Sequence, residues 1–331
     1  MDFKWASLLD WHAGRALLGP AAVLPPRPEP LTRDAEVHSI LVIKFFGMGS
    51  ILQATPVFRA LRDRYSGATL DILTFAENEQ ISRGVGLFDR VHVIDRKRSF
   101  AQFTWQTLSF IRQYRRAYSL VIDLEFFASY SALMTSMLGA TFSMGFEGFT
   151  PARNRCYSKT VIFDHSSHVR FVFMKFLDAL GISRPGDASL SEIRIPEAAK
   201  AAVLEELPTL RSESPKMAIN INSSDLCPNR RWPEEYFGRL IALLKQGHEN
   251  LEVYLVGGED DVSAVTSFYQ SLPEKDRVFI AAGKVDIVQF AYVLTRTACL
   301  ISSDSGPVHI AEALNVPVVC FFGPETPNLY G

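Results

Sequence analysis

Closely spaced cysteines are absent from this sequence of 331 residues. The four cysteines are scattered and form no Cys-x-x-Cys pair; they are Cys156, Cys227, Cys299 and Cys320. This scatter argues against a zinc ribbon or a disulfide scaffold and favours a reducing compartment. The net charge is only −2, so the chain has no global basic field for nucleic acid. Neither an Asp-x-Asp loop nor a histidine cluster indicates a metal site, and we expect no metal and no other cofactor.

Long apolar runs are missing as well. No stretch reaches the roughly 18 residues of a membrane-spanning helix. The N-terminus carries a weaker pattern, a helical stripe interrupted by charged residues, which is poor as a signal peptide. Two interpretations stay open: a helix packed on its own protein, or a helix lying in a membrane interface with Trp5 and Trp11 as anchors. Several prolines follow, so residues 1–37 are predicted to be an amphipathic helix and a Pro-rich connector.

Alternating strand and helix signals divide the rest of the chain into two α/β halves. Apolar strand-like runs separated by helical segments predict parallel βαβ units. The first half opens with the strand Ser39–Phe45 and the second with the strand Lys216–Asn222. A stretch rich in Pro, Ser and acidic residues lies between them. We therefore predict Rossmann-like domains over residues 38–185 and 216–331, joined by an interdomain region over 186–215.

The glycine-bearing loops of both halves each follow a strand. Ligands of doubly wound sheets bind at the carboxyl ends of strands, so we expect these loops to gather at a cleft between the domains. The Gly47–Ser50 turn leads into a predicted helix from about Ile51 to Tyr65. This turn lacks the third glycine of a dinucleotide fingerprint and has no Walker lysine, and it is also interpretable as a plain tight turn.

The most specific pattern lies near the end of the chain. The apolar strand around Leu300 and Ile301 runs into Asp304-Ser305-Gly306, and a helix follows directly. A helix start leaves backbone N–H groups without internal partners and carries the positive end of the helix dipole. Small residues at Ser305 and Gly306 let an anion approach closely, which suits a phosphate or diphosphate.

Three segments of the chain resemble glycosyltransferase family 9, the lipopolysaccharide heptosyltransferases. They are residues 40–61 (ILVIKFFGMGSILQATPVFRAL), residues 230–244 (RRWPEEYFGRLIALL) and residues 302–331 (SSDSGPVHIAEALNVPVVCFFGPETPNLYG). The resemblance implies two facing Rossmann-like domains with an interdomain cleft, the GT-B fold. It further implies inverting transfer of a heptose-like sugar from a nucleotide diphosphate, with ADP-heptose as the expected donor. The expected acceptor is a lipopolysaccharide core or a related glycan.

Donor-binding residues follow from the resemblance and from the strand-end positions. The resemblance places the basic residue Arg230 against the donor diphosphate, with Arg231 as the alternative. Hydroxyls of Ser223 and Ser224 could add to phosphate binding, and each has an alternative interpretation as a turn residue. The remaining predicted donor residues are Glu259 for ribose hydroxyls, Asp304 for the loop or a sugar hydroxyl, His309 facing the donor, and the amides of Ser305 and Gly306.

Ser50 departs from the family pattern, because the family usually has an acidic residue there to accept the proton of the acceptor hydroxyl. A serine hydroxyl cannot do this unaided. Three interpretations stay open: Glu125, beside Asp123 at a strand end, takes over as the base; Ser50 positions the acceptor while leaving-group stabilisation lowers the barrier; or activity has been lost. Lys44, Gly49 and the loop residue Arg153, with Arg155, are the predicted acceptor-binding residues.

Because the sequence shows no set of metal-ligand residues, we predict that cationic side chains and amides, rather than a metal, stabilise the departing diphosphate. We expect a cytoplasmic protein at, or near, the cytoplasmic face of the inner membrane. The alternatives are a transferase with another acceptor, a non-catalytic nucleotide-sugar-binding protein, suggested by Ser50, and a dinucleotide oxidoreductase. Relatives usually continue beyond the Gly-Pro loop near Gly331, so the C-terminal domain is predicted to be either truncated or closed differently.

Overall fold

The computed structural model describes residues 36–148, 151–190, 193–223, 228–324 and 326–330. The predicted N-terminal helix and connector, Ser224 and Cys227 lie outside these residues. The chain divides into two compact units, and the division falls between Ala188 and Ser189. No helix in the described ranges is long and apolar enough to cross a bilayer.

A parallel sheet of six strands organises the first unit, in the order β3-β2-β1-β4-β5-β6. The strands are β1 (Ser39–Ile43), β2 (Thr69–Phe75), β3 (Arg90–Ile94), β4 (Leu120–Asp123), β5 (Phe142–Phe146) and β6 (Lys159–Val161). The helices are α1 (Met48–Gln53), α2 (Thr55–Arg64), α3 (Glu79–Val85), α4 (Phe100–Tyr114), α5 (Ser129–Leu138), α6 (Pro151–Asn154) and α7 (Val169–Ala179).

The second unit repeats this plan with a parallel five-stranded sheet in the order β11-β10-β7-β8-β9. Its strands are β7 (Lys216–Asn220), β8 (Glu252–Leu255), β9 (Val278–Ile280), β10 (Cys299–Ser303) and β11 (Val318–Phe321). Its helices are α8 (Glu197–Glu206), α9 (Glu234–Gly247), α10 (Val262–Ser271), α11 (Ile287–Thr295), α12 (Gly306–Ala313) and α13 (Pro327–Tyr330). Two parallel α/β sheets confirm the Rossmann-like class expected from the alternating pattern.

Both sheets are buried on both faces, as parallel sheets require. In the first unit, Leu41, Ile43 and Val121 from the central strands pack with Phe110 and Ile111 of α4. In the second unit, Ile219, Val253 and Leu255 pack with Phe237 and Ile241 of α9. The continuous apolar runs that predicted these strands therefore form the two cores.

The helix predicted from Ile51 to Tyr65 is wrong as a single element, because two helices meet at Ala54. Pro56 lies in the first turn of α2 and has no N–H to bond back into α1. A proline is accepted at a helix start, where that donor would be unused. The break gives the loop after β1 its own short helix, α1, which contains Ser50.

Each strand order has one switch point, where consecutive strands leave in opposite directions across the sheet. In the first unit this point lies between β1 and β4, and in the second between β7 and β10. Doubly wound sheets bind their ligands in the crevice at this point, outside the carboxyl ends of the strands. Ser50 follows β1, Glu125 follows β4, Ser223 follows β7 and Ser305 follows β10.

Candidate functional site

A buried asparagine connects the two strands at the switch point of the second unit. Asn220, the last residue of β7, lies in register with Ser302 of β10. Its Nδ2 donates to Ser302 Oγ at 3.0 Å, to Ser305 Oγ at 2.9 Å and to Asn222 O at 3.0 Å. One side chain therefore fixes both the end of β7 and the start of the loop before α12. The sequence analysis missed Asn220, although a polar residue ending an apolar strand was the available signal.

Ser305 is the N-cap residue of α12, but its side chain does not cap the helix. Its hydroxyl instead donates to Ser303 O at 3.0 Å and accepts from Asn220. Pro307 follows in the first turn and has no N–H, while the Val308 amide already donates to Ser305 O. The helix start therefore offers fewer free amides than a usual one, and the amides of Ser305 and Gly306 stay the predicted anion ligands.

Arg230 is held beside the same loop. Its Nη1 lies 3.5 Å from Asp304 Oδ2, and Asp304 is buried with its own amide donating to Phe321 O. A carboxylate at this place would repel a phosphate and attract a guanidinium. Asp304 therefore holds the Arg230 guanidinium beside the loop before α12.

An aromatic anchor determines where Arg230 and Arg231 lie. The Trp232 ring stacks on Phe321 with centroids 4.1 Å apart and meets Phe237 edge-on at 4.9 Å. Its backbone N–H donates to Ser303 Oγ at 3.1 Å, tying the segment to β10. Arg231 turns the other way and donates to Ser223 O at 3.2 Å. Arg231 therefore supports the loop after β7, and Arg230 remains the predicted diphosphate ligand.

The loop after β11 approaches this segment closely. A Cβ on Gly323 would lie 2.8 Å from the Asn229 carbonyl oxygen and 3.4 Å from Arg230 Cα. Only glycine leaves room for the backbone of residues 229–230 at this place. The Gly-Pro loop found in the sequence thus packs directly against the backbone of the arginine segment.

Asn222, which follows β7, carries an unpaired polar group. It is buried just after β7, and within the described residues its Nδ2 has no hydrogen-bond partner. Leaving a buried donor unpaired costs about 1–3 kcal/mol, which a ligand oxygen would recover. The neighbouring Ser223 is also buried. This orphaned amide is an independent indication that a ligand with acceptor oxygens belongs here.

Two further predicted donor residues lie at the same edge of the sheet. Glu259 is exposed after β8, next to a turn in which Asp261 Oδ2 accepts from the Gly258 amide at 2.8 Å. His309 is buried in the first turns of α12, with Nδ1 3.8 Å from Glu312 Oε2. Their contacts with a donor stay predictions.

The switch point of the first unit contains a buried ion pair. Glu125 Oε1 accepts from Lys44 Nζ at 2.8 Å and from the amides of Phe45 and Phe46 at 2.6 and 2.8 Å. Lys44 is only 1% exposed, and its ammonium also donates to Phe46 O. This buried ion pair therefore connects the segment that follows β1 with the segment that follows β4.

These contacts bear on two sequence predictions. The prediction that Lys44 binds an acceptor is wrong, because its ammonium is enclosed by Glu125 and a backbone carbonyl. Three donors converge on Oε1 of Glu125, whose side chain is buried, and the role of this residue as a proton-accepting base stays a prediction. Both side chains hold the loop that leads to Ser50.

Arg153 was expected in an exposed acceptor-binding loop, and this expectation is also wrong. The guanidinium is buried and donates to the carbonyl oxygens of Phe146, Ala128 and Glu125. The guanidinium thereby ties the loop after β4 to the end of β5. Arg155, two residues on, is exposed.

Asp123 lies beneath this network, fully buried. Its Oδ2 accepts from the Tyr157 hydroxyl at 2.6 Å, and its Oδ1 accepts from the Glu125 amide at 2.9 Å. Burial raises the pKa of Asp123 to about 6, against the opposing effect of Arg153. The Tyr157 ring occupies the space beside Gly145, where a Cβ would lie 2.3 Å from the ring. Asp123 is thus a structural carboxyl that supports the loop carrying Glu125.

Ser50 occupies the first turn of α1, above the Gly47 turn. Gly47 has φ of 80°, a left-handed value that favours glycine, and a Cβ there would lie 3.2 Å from Ser50 Oγ. The Ser50 amide donates to Gly47 O at 3.0 Å, and Gly49 is buried beside it. The structure therefore holds the half-buried Ser50 hydroxyl directly over the turn that follows β1.

Comparison with known proteins identifies the relatives of this chain. The profile of glycosyltransferase family 9 (heptosyltransferase) matches residues 107–331. The chain is 22% identical over 309 residues to lipopolysaccharide heptosyltransferase 2 of Escherichia coli K12, covering 87% of this chain and 84% of that protein. It is 32% identical over 104 residues to lipooligosaccharide heptosyltransferase 2 of Haemophilus influenzae, which is 29% of that protein.

Solved structures show the same fold. A glycosyl transferase family 9 protein from Veillonella parvula matches with a TM-score of 0.76 at 21% identity, covering 92% of this chain and 86% of that one. The ADP-heptose heptosyltransferase II of Escherichia coli matches with a TM-score of 0.72 at 20% identity, covering 88% of this chain and 86% of that one. These matches and the two sheets confirm the predicted GT-B fold class.

Proposed function

Because the chain belongs to glycosyltransferase family 9, the heptosyltransferase family, we propose that it moves a heptose-like sugar from a nucleotide diphosphate to a lipid-linked glycan. The proposed acceptor is a lipopolysaccharide core or a related glycolipid, as the names of the curated relatives indicate. The proposed donor is ADP-heptose, since an Escherichia coli heptosyltransferase was solved with ADP and with ADP-2-deoxy-2-fluoro heptose.

The arrangement at the second switch point carries this proposal. Arg230, oriented by Asp304, lies beside the loop whose Gly306 amide opens α12. The orphaned amide of Asn222 adds a neutral donor at the end of the adjacent strand. A fixed cation, a helix start and an unpaired amide are the groups that bind a diphosphate.

The proposed chemistry follows from what these groups do during sugar transfer. As the bond to the anomeric carbon breaks, positive charge develops on the sugar and negative charge accumulates on the departing diphosphate. Arg230 and the Gly306 amide stabilise this second charge more in the transition state than in the ground state, which accelerates the reaction. We propose that these groups suffice without a metal ion and that transfer inverts the anomeric configuration.

On the acceptor side, the proposal rests on Ser50. Its hydroxyl is held over the Gly47 turn at the switch point of the first sheet, where it can orient an acceptor hydroxyl by a hydrogen bond. We propose that Ser50 positions the acceptor and that leaving-group stabilisation supplies most of the rate enhancement. The buried Lys44–Glu125 pair keeps the loop leading to Ser50 in place.

A transfer assay tests this function. The purified chain is incubated with ADP-, UDP- and GDP-linked sugars and a heptose-deficient lipopolysaccharide, and both the released nucleotide and the glycosylated product are measured. We expect turnover with ADP-heptose, an unchanged rate with a chelator, and a product of inverted configuration by NMR. Arg230→Ala should lower the rate strongly, whereas Arg239→Ala, an exposed arginine on α9 of the same unit, should not. Absence of product with every donor would contradict the proposal.

A non-catalytic nucleotide-sugar-binding protein is the second candidate, and the serine at position 50 is the observation that favours it. Ser50→Asp separates the two. If the wild type binds ADP-heptose but transfers nothing, and the aspartate variant gains turnover, the chain is a binding protein that lost its base. If the wild type turns over and the variant retains that rate, the second candidate is excluded.

A further inference from the structure

The strongest charge asymmetry of the chain coincides with helix α4 of the first unit. Residues 96–119 contain six basic residues and no acidic one, whereas the whole chain has a net charge of −2. The basic residues are Arg96, Lys97, Arg98, Arg112, Arg115 and Arg116. Arg96 pairs with Glu77 and Arg98 pairs with Asp95. Lys97, Arg112, Arg115 and Arg116 are exposed and have no carboxylate partner among the described residues.

The same helix exposes large apolar side chains. Trp105 is 70% exposed, Phe100 is 62% exposed and Leu108 is 51% exposed. Trp105 and Leu108 are three positions apart and Arg112 follows four positions later, so these three side chains share one face of α4. The exposed indole and isobutyl groups thus lie directly beside an unpaired guanidinium.

The opposite face of α4 is fixed in the protein core. Phe110 and Ile111 belong to the core cluster of the first unit, and Thr107 Oγ1 is 2.8 Å from the Tyr130 hydroxyl. A capping box at the start of the helix, between Ser99 and Gln102, fixes the first turn. The helix therefore cannot turn its apolar outer face inward, and none of the described residues of this unit covers that face.

From these observations we propose that the outer face of α4, formed by Trp105, Leu108 and Arg112 with Lys97, Arg115 and Arg116 at its ends, docks on an anionic phospholipid bilayer. Trp105 and Leu108 insert at the boundary between headgroups and acyl chains, and the basic residues pair with the negative headgroups. This inference concerns where the protein lies and goes beyond the transfer reaction.

Two other occupants fit the surface less well. A second copy of the chain, packed by a two-fold axis through α4, would bring the arginines of both copies together without acidic partners on that face. A nucleic acid would use the positive charges but leave Leu108 without a function, because phosphate backbones offer no apolar surface. A bilayer surface uses both the charge and the apolar groups.

Vesicle co-sedimentation of the full chain tests the proposal. We expect binding to vesicles of mixed phosphatidylcholine and phosphatidylglycerol, little binding to phosphatidylcholine alone, and a decrease at high salt. Arg112→Glu with Arg116→Glu should weaken binding by at least tenfold, because each positive charge near an anionic surface contributes about fivefold. Trp105→Ser with Leu108→Ser should weaken it similarly and leave the thermal unfolding temperature unchanged.

Matched substitutions on α9 of the second unit provide the control. Arg239 and Leu243 are exposed and four positions apart there, and Leu243 is 65% exposed. Arg239→Glu with Leu243→Ser should leave vesicle binding unchanged. All variants retain residues 1–35. Binding that stays at the wild-type level in every variant would therefore assign membrane binding to this N-terminal segment and not to α4.

The outcomes decide between the occupants. Selective loss of binding in the α4 variants, with a blue shift of wild-type tryptophan fluorescence that disappears in Trp105→Phe, supports docking. Three results would overturn it: wild-type binding by both α4 double variants, dimerisation of the wild type that these variants abolish, or tighter binding to duplex DNA than to anionic vesicles. Transfer to a water-soluble acceptor should be the same in all variants, which separates docking from catalysis.

Discussion

Replacing Glu125 by glutamine should destabilise the first unit rather than simply remove a base. In the native protein Glu125 Oε1 accepts three hydrogen bonds, and one donor is the ammonium of Lys44, which is 1% exposed. Glutamine retains an acceptor oxygen of the same shape for the two amides. It removes the negative charge, however, and leaves a buried ammonium facing a neutral amide.

The magnitude follows from that uncompensated charge. Removing one partner of a buried ion pair costs about 3–5 kcal/mol, and the retained amide acceptor favours the lower end of this range. A domain of this size loses roughly 2–4 °C of melting temperature per kcal/mol, so Glu125→Gln should lower the transition of the first unit by about 6–12 °C. Lys44→Met combined with Glu125→Gln removes both charges and should regain at least half of this loss.

Differential scanning calorimetry measures this prediction, with transfer activity assayed well below the transition. The expected result is a lower melting temperature, partial recovery in the double variant, and activity that follows the folded fraction. An unchanged melting temperature together with lost turnover would refute the structural interpretation. That result would instead restore Glu125 as the proton-accepting base that the sequence predicted.

Three other substitutions probe the two switch points. Burial raises the pKa of Asp123 to about 6 in the native state, above its value in the unfolded chain. Between about pH 4 and 6 the unfolded chain therefore loses this proton while the native state retains it, so the stability of the wild type decreases as pH rises. Asp123→Asn should remove this pH dependence of stability in urea titrations. Gly323→Ala should weaken ADP binding in calorimetry, because its Cβ would lie 2.8 Å from the Asn229 carbonyl oxygen and displace Arg230; unchanged affinity would contradict the role of this close approach. Asn220→Ala should lower both the melting temperature of the second unit and ADP affinity, by about 1–3 kcal/mol in stability, since it releases Ser305; loss of neither would mean that the strand-end network is unimportant.

The sequence predicted the two sheets because parallel strands buried on both faces are continuous apolar runs. The runs at Ile40–Ile43 and Leu300–Ile301 lie as expected in β1 and β10. The loops also followed from the sequence, because Asp304-Ser305-Gly306 combines a strand end with a helix start. The helix boundaries were harder to predict from the sequence. The break at Ala54 arises because Pro56 lies in the first turn of α2, and the sequence alone did not show that a new helix begins there.

Side-chain roles in the first unit could not be predicted, because a charged residue looks the same in a sequence whether it is exposed or buried. Lys44, Glu125 and Arg153 were interpreted as groups that meet substrate, yet each is paired inside the unit. Lys44 and Glu125 are 81 positions apart, and the carbonyl partners of Arg153 are 7, 25 and 28 positions away, so the sequence pattern around each residue does not show that it is paired. Arg230 was assigned to the diphosphate by the resemblance of residues 230–244, and that role stays a prediction.

The central claim is that Arg230 and the start of α12 hold the donor diphosphate. Isothermal titration calorimetry with ADP and AMP, on the wild type and on Arg230→Ala, tests it most directly. Arg230→Ala should weaken ADP binding by roughly 10- to 100-fold, as expected for a hydrogen bond to a charged group, and should change AMP binding much less. Equal loss for both nucleotides, or no loss for ADP, would contradict it.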